Sequence, residues 1–230
     1  MRKFIPILAY HSLDPQRFQN KLAISPALFR KQMLFLKNHH FHPISLEACA
    51  RKRWREGLLE RNVAITFDDG YLDNYKEAFP LLKELGLAAS FFVTPDDIGK
   101  EGFMTWEMLR EMAATPGIEI GSHTLDHKTL PELPEREAWI SLVASKKVLE
   151  EKLGREIPAI SYPCGSFSEK ILEMVRGAGY HYGCAASHVH EKKFIGNPYL
   201  LRRIKISDSS SSSLAFRLRL SGFYHFFGRP

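Results

Sequence analysis

The feature that most constrains this chain is a repeated alternation of short apolar runs with longer stretches of helical periodicity. Apolar runs precede His11 and cover 63–67, 88–93, 118–120 and 159–161, with further ones at 181–185 and 200–206. Between them lie helix signals. Ser25-Pro26 precedes Phe29, Met33 and Leu36 at helical spacing, and Ser45 stands ahead of a second helix through Cys49 and Trp54. Tyr75, Ala78, Phe79 and Leu82 mark a helix over 73–85 that Gly86 ends. Others open near Thr105, span 135–153 before Gly154, and follow Ser168. Strands that alternate with helices must pair in parallel, because each crossover carries the chain back over a sheet face. The expected fold is therefore α/β with a mostly parallel sheet, and the number of units favours a barrel over a short open sheet. Such barrels place their chemistry at the carboxyl ends of strands.

Composition agrees with one such domain. The chain has 230 residues, 44% of them hydrophobic, enough for a sizeable core and too many for a disordered or collagen-like chain. Its three cysteines, Cys49, Cys164 and Cys184, form no CxxC pair, so neither a sulfur metal site nor a disulfide framework is indicated. The basic start, Arg2-Lys3, leads into an apolar run that contains Pro6 and reaches His11 without a small-residue cleavage site, which reads as a buried first strand. No segment approaches the about 20 apolar residues that span a bilayer. The expectation is a cytoplasmic protein. The net charge of +6 alone selects no partner, and no nucleic-acid reader motif accompanies it. Residues 207–230 hold a serine run and then an aromatic, basic tail in which Phe216, Leu218 and Leu220 alternate with Arg217 and Arg219. This pattern fits an edge strand packed on the domain, with peripheral membrane association through the tail as the alternative.

Three strand ends carry candidate chemistry. Thr66-Phe67-Asp68-Asp69-Gly70-Tyr71 sets two adjacent carboxylates before a glycine. Asp-Gly is ordinary turn chemistry, but adjacent acids repel unless a cation or a proton settles them, and a metal can take one and leave the other as a base. His123 and His127, after the 118–120 strand, are four apart, the spacing of one face of a helical turn, which suits two imidazoles on one metal. Two histidines with one carboxylate leave coordination positions open for water and substrate. The third segment, Ser161-Tyr162-Pro163-Cys164-Gly165, reads as a turn able to aim a backbone N–H at a developing oxyanion.

Together, in this order and separation, the motifs resemble those of the polysaccharide deacetylases, the NodB-homology or carbohydrate esterase family four enzymes. Thr66–Gly70 matches TFDDG, His123–His127 matches H(S/T)xxH, and Pro163-Cys164-Gly165 matches the end of RxPYG. The resemblance covers residues 4 to 206 and is strongest to the exopolysaccharide, poly-N-acetylglucosamine branch. It implies a deformed (β/α) barrel over 1–206, with 207–230 as linker and tail. It also implies a hydrolase that removes acetyl groups, most naturally N-acetyl, from a carbohydrate polymer or lipid-linked glycan. Asp69, His123 and His127 would hold a divalent metal, zinc in the first instance and cobalt or nickel as substitutes, and Asp68 would be the general base. The Pro163-Cys164-Gly165 turn and Tyr71 would meet the substrate, with the Cys164 N–H on the oxyanion.

Two positions depart from the pattern. The arginine that orients the base aligns with Ser161, so Arg202 or Arg203, in a late strand, is the expected substitute. The late histidine motif that supplies a general acid has no match; His11 is the preferred acid, with His188 and His190 as weaker options. These departures support a second reading, a catalytically impaired deacetylase scaffold that binds carbohydrate. His39, His40 and His42 read as a solvated loop, and Cys164 lacks the base a thiol nucleophile needs.

Overall fold

The computed structural model describes residues 5–16, 22–52, 61–186, 196–207 and 212–221. Among these residues nine strands form one sheet: β1 (Ile7–Tyr10), β2 (His42–Pro43), β3 (Asn62–Phe67), β4 (Ala89–Val93), β5 (Ile118–Ser122), β6 (Ala159–Ser161), β7 (Tyr182–Ala185), β8 (Leu201–Arg202) and β9 (Ile204–Lys205). Their order is β8-β7-β6-β5-β4-β3-β1-β9, with β2 beside β3, and these pairs are parallel. The 200–206 run was expected to be one strand. It is two, β8 on one sheet edge and β9 on the other, separated only by Arg203. One short segment thus serves both edges, and the sheet is nearly closed into a barrel.

The helices are α1 (Pro26–Asn38), α2 (Leu46–Lys52), α3 (Phe79–Leu85), α4 (Trp106–Ala114), α5 (Glu135–Leu153), α6 (Glu169–Gly177) and α7 (Ser213–Leu220). Their ends follow from local chemistry. Ser25, Ser45, Thr105 and Ser168 each accept a backbone N–H of the first turn, satisfying donors that have no intrahelical partner. Gly86 and Gly154 end α3 and α5 in the left-handed conformation that a side chain would resist. The helix expected over 73–85 begins with a π-helical stretch, Asn74–Ala78, before α3. Trp54 lies outside the described residues.

Strand side chains divide between two faces. Val63, Ile65 and Phe67 of β3 join the large core shared with α1, α3, α4, α5 and α6, whereas Ala64 joins a smaller interior cluster with Ile7, Phe92, Ala159, Tyr182 and Leu201. With both faces covered, β3 is buried throughout, as parallel strands generally are. Thr66 and Asp68 continue the Ala64 parity, so the strand's last polar groups belong to the barrel interior.

The stretch in which Phe216, Leu218 and Leu220 alternate with arginines is not an edge strand. Residues 213–220 form α7, because Phe216 and Leu220, four apart, share one helical face with Arg219, and all three are buried, whereas Leu214 and Leu218 point outward. Phe216 meets Phe35 of α1 edge-on, ring centroids 5.8 Å apart. Among the described residues no helix is long and apolar enough to cross a membrane.

Candidate active site

The carboxyl ends of β1, β3, β5 and β6 and the junction of β8 with β9 converge on one cluster. Asp68 continues β3 through its N–H to the Tyr10 carbonyl, at 3.0 Å. Asp69 then adopts a left-handed φ of 74° and Gly70 one of 82°. A Cβ on Gly70 would lie 3.1 Å from the Val93 side chain, so the turn needs glycine both for its backbone and for its close packing. The turn sends the two carboxylates to different partners.

Asp68 faces Arg203. The guanidinium spans both carboxylate oxygens, Nη1 to Oδ1 at 2.7 Å and Nη2 to Oδ2 at 2.6 Å, and donates further to Thr66 Oγ1 at 3.1 Å and Ser161 Oγ at 2.8 Å. Both side chains are almost fully buried. Burial pushes the Asp68 carboxyl up, but the charges of Arg203 and His123 and the bonds from Arg203 outweigh it and hold the group below the ordinary carboxylate value. Burial opposes the Arg203 charge, and Asp68 more than restores it. Of the two arginines proposed from sequence, Arg203 therefore touches Asp68, while Arg202 sits in β8 opposite Ala185 and is half-buried. Ser161 and Thr66 were not singled out as partners of an arginine. Ser161 occupies the position where the family's arginine was expected, and its hydroxyl receives the arginine that arrives from the other end of the chain.

Asp69 faces the histidines. Its Oδ1 lies 3.3 Å from His123 Nε2 and 3.2 Å from His127 Nε2, and the three ligand-type atoms fall within 4.8 Å of one another. His123 Nδ1 is 2.8 Å from the Ser161 carbonyl, which can only accept, so Nδ1 donates there and Nε2 is the ring atom left to face Asp69. Asp69 Oδ1 is buried and has no hydrogen-bond donor. A buried carboxylate oxygen within 3.3 Å of two imidazole nitrogens is a set of ligand atoms that fits a divalent metal. Burial raises the Asp69 carboxyl, yet the imidazoles of His123 and His127 hold it well below its ordinary value; Asp69 in turn raises His127. The helical turn expected for the His-x-x-x-His segment is absent. Thr124 and His127 have left-handed φ values of 66° and 58°, and this loop, not a helix face, brings the rings to centroids 4.8 Å apart.

His11 follows β1, its Nε2 3.8 Å from Asp68 Oδ2. Burial lowers its pKa against the opposing pull of Asp68 and Asp69. Cys164 is exposed, with φ 57°, between buried Pro163 and Gly165 in the turn after β6. Tyr71 is nearly buried and pairs with Phe103, ring centroids 5.3 Å apart. His188 and His190 lie outside the described residues. His39 ends α1 stacked on Phe35, and His42 is exposed in β2; neither approaches a ligand cluster among the described residues.

A family model described as polysaccharide deacetylase matches residues 56–183. The chain is 33% identical over 210 residues to the protein YxkH of Bacillus subtilis, covering 91% of this chain and 74% of that one. It is 28% identical over 211 residues to the poly-beta-1,6-N-acetyl-D-glucosamine N-deacetylase of Staphylococcus aureus, covering 85% and 71%. Among solved structures, the Streptococcus pyogenes deacetylase PplD in complex with acetate superposes with a TM-score of 0.83 at 26% identity, covering 94% of this chain and 97% of that one.

Proposed function

The chain belongs to the polysaccharide deacetylase family, and from that premise we propose a metal-dependent hydrolase that removes N-acetyl groups from N-acetylglucosamine-type residues of a carbohydrate polymer or lipid-linked glycan. The observation that carries this reading is a pair of adjacent carboxylates with opposite surroundings: Asp68 pinned by Arg203, Asp69 set among two histidines. The substrate class draws on the S. aureus relative, whose name specifies an N-acetylglucosamine polymer.

Asp69, His123 and His127 would hold the ion, with zinc a natural occupant of two imidazoles and a carboxylate. When bound, a divalent cation polarises the acetyl carbonyl and acidifies water. Asp68, kept ionised and aimed by Arg203, takes a proton from the attacking water as its oxygen bonds to the acetyl carbon. The Cys164 backbone N–H stabilises the oxygen that gains charge, so the side chain at this position is free to differ from the family's tyrosine. His11 gives a proton to the sugar nitrogen as the C–N bond breaks, leaving free amine and acetate. Pro163 and Gly165 shape the turn, and Tyr71 borders the sugar.

The direct test is acetate release from N-acetylglucosamine oligomers by zinc-loaded and chelated protein. Release should require metal, fall by at least about a hundredfold in Asp68→Asn with metal content unchanged, and vanish in Asp69→Ala together with bound metal. No acetate with zinc, cobalt or nickel, alongside unaltered metal content in Asp69→Ala, would sink the enzymatic reading. Glycan binding without turnover would instead favour the impaired scaffold.

A further inference from the structure

We propose that Asn74 is a positioning residue that fixes His11 relative to Asp68; this rests on the reading of His11 as the group that protonates the leaving nitrogen. Among the described residues the ring of His11 has no hydrogen bond to orient it. Its Nδ1 is buried without a partner, and Nε2 stands 3.8 Å from the Asp68 carboxylate, beyond hydrogen-bond range. Most functional imidazoles are held through the nitrogen that does not react, so this one must be placed by its backbone.

The backbone is clamped from the side of Asp68. Asn74 Nδ2 donates to the His11 carbonyl at 2.7 Å and to Asp73 Oδ1 at 2.7 Å, while Asp73 Oδ2 accepts from Ser12 Oγ. Ser12 Oγ in turn accepts the Asp14 N–H at 2.9 Å. Asn74 lies on the helix that leaves the Asp68-Asp69-Gly70 turn, at the first position of its π-helical stretch. A widened turn of this kind is costly, and such turns concentrate at functional sites. Asn74 is fully buried and its Oδ1 has no donor, so the hydrogen bonds of this amide are made by its NH2 group. The donor half of the amide is what the arrangement uses. It ties the loop bearing the acid to the helix that follows the turn of the base, and displacement of a reacting group by about 1 Å can cost a hundredfold in rate.

The test compares an amide, an N-acetylglucosamine oligomer, with an activated ester, p-nitrophenyl acetate, whose leaving group needs no proton. In Asn74→Ala, with zinc content equal to wild type, the ratio of amide to ester kcat should fall about tenfold or more with amide KM nearly unchanged. His11→Ala should show the same selectivity, and adding Asn74→Ala to it should cost little more, because both changes remove one function. Ser12→Ala, on the far side of the clamp, should show the same bias at smaller size and covers the case in which Asn74→Ala does not fold. Independently of turnover, the imidazole NMR signal of His11, identified by its loss in His11→Ala, should broaden or shift in Asn74→Ala and Ser12→Ala. Parallel loss of amide and ester turnover, multiplicative effects in the double variant, or an unmoved His11 signal would each overturn the proposal. If wild type releases no acetate, the hydrolase reading fails while the NMR measurement still decides the clamp. If only the selectivity of His11→Ala is missing, the acid assignment fails, and with it the role given to Asn74.

Discussion

Arg203 reaches Asp68 across 135 positions of sequence, and the two charges meet where water does not. A buried ion pair is not in itself a large source of stability, but removing one member strands the other, at about 3–5 kcal/mol. Arg203→Ala should therefore destabilise the protein by about that much in urea titrations and cut acetate release by about a hundredfold. Arg202→Ala, at a half-buried β8 position, should stay within about 1 kcal/mol and retain turnover. Equal effects of the two changes would remove the base-orienting role from Arg203. A lysine at 203 should not restore activity, since it cannot span two oxygens and still reach Ser161 and Thr66. The same pair sets a pH dependence. Burial alone would raise the Asp68 carboxyl, yet Arg203 and His123 hold it below its ordinary 3.8, so folding favours the ionised form. A depressed folded value contributes stability that is complete above the unfolded value and is lost as pH falls through the folded one. Metal-free wild type should thus exceed Asp68→Asn in stability near neutrality, by a margin that shrinks below about pH 3.8. A margin constant down to acid unfolding would contradict the pairing.

Helix α7 shows how an element can be misread. Phe216, Leu218 and Leu220 alternate with arginines, so a period of two predicts one apolar face containing all three. In the helix Phe216 and Leu220 share the buried face while Leu218 faces away. Phe216→Ala should cost about 3–5 kcal/mol, as for a core aromatic, and Leu218→Ala about 0.5 kcal/mol or less; comparable losses would restore the strand. Many of the other elements were legible because they were announced locally, by Ser25-Pro26, Thr105 and Ser168 at helix starts and by Gly86 and Gly154 at ends, whereas β2 in a stretch read as loop and the division of the 200–206 run were not. The candidate ligands were legible for the same reason, since the acids and both histidines lie in short contiguous motifs. What was not legible depends on distance or on backbone sign. The Ser161 hydroxyl acquires a partner only when the chain closes at Arg203. The loop of His123 and His127 needs left-handed φ at Thr124, which the residue type does not announce. Asn74 falls within the helix expected over 73–85, and its role depends on a bond to the His11 carbonyl 63 positions away, which no local pattern announces.

At the scale of the whole molecule, the barrel closes late in sequence: β9 pairs with β1 and β8 with β7, and Arg203 between them grips the carboxylate that ends β3. The candidate metal ligands span a different gap, Asp69 after β3 and the two histidines after β5, with β4 lying between these strands. An ion held by these three residues would cross-link two crossover connections at the carboxyl face, contacts that the unfolded chain cannot preform. Binding to the native state alone stabilises by RT ln(1 + [L]/Kd), about 2.7 kcal/mol at a hundredfold excess over Kd. For a domain of this size each kcal/mol moves Tm by about 2–4 °C, so zinc should raise the melting temperature by about 5–10 °C. Asp68→Asn should keep the rise, because Asp68 binds Arg203 and not the ion, whereas Asp69→Ala and His123→Ala should lose most of it. Scanning calorimetry of chelated and zinc-loaded protein separates the two carboxylates without any substrate. A rise undiminished in Asp69→Ala would place the ion elsewhere, and one lost in Asp68→Asn would exchange the roles of the two acids.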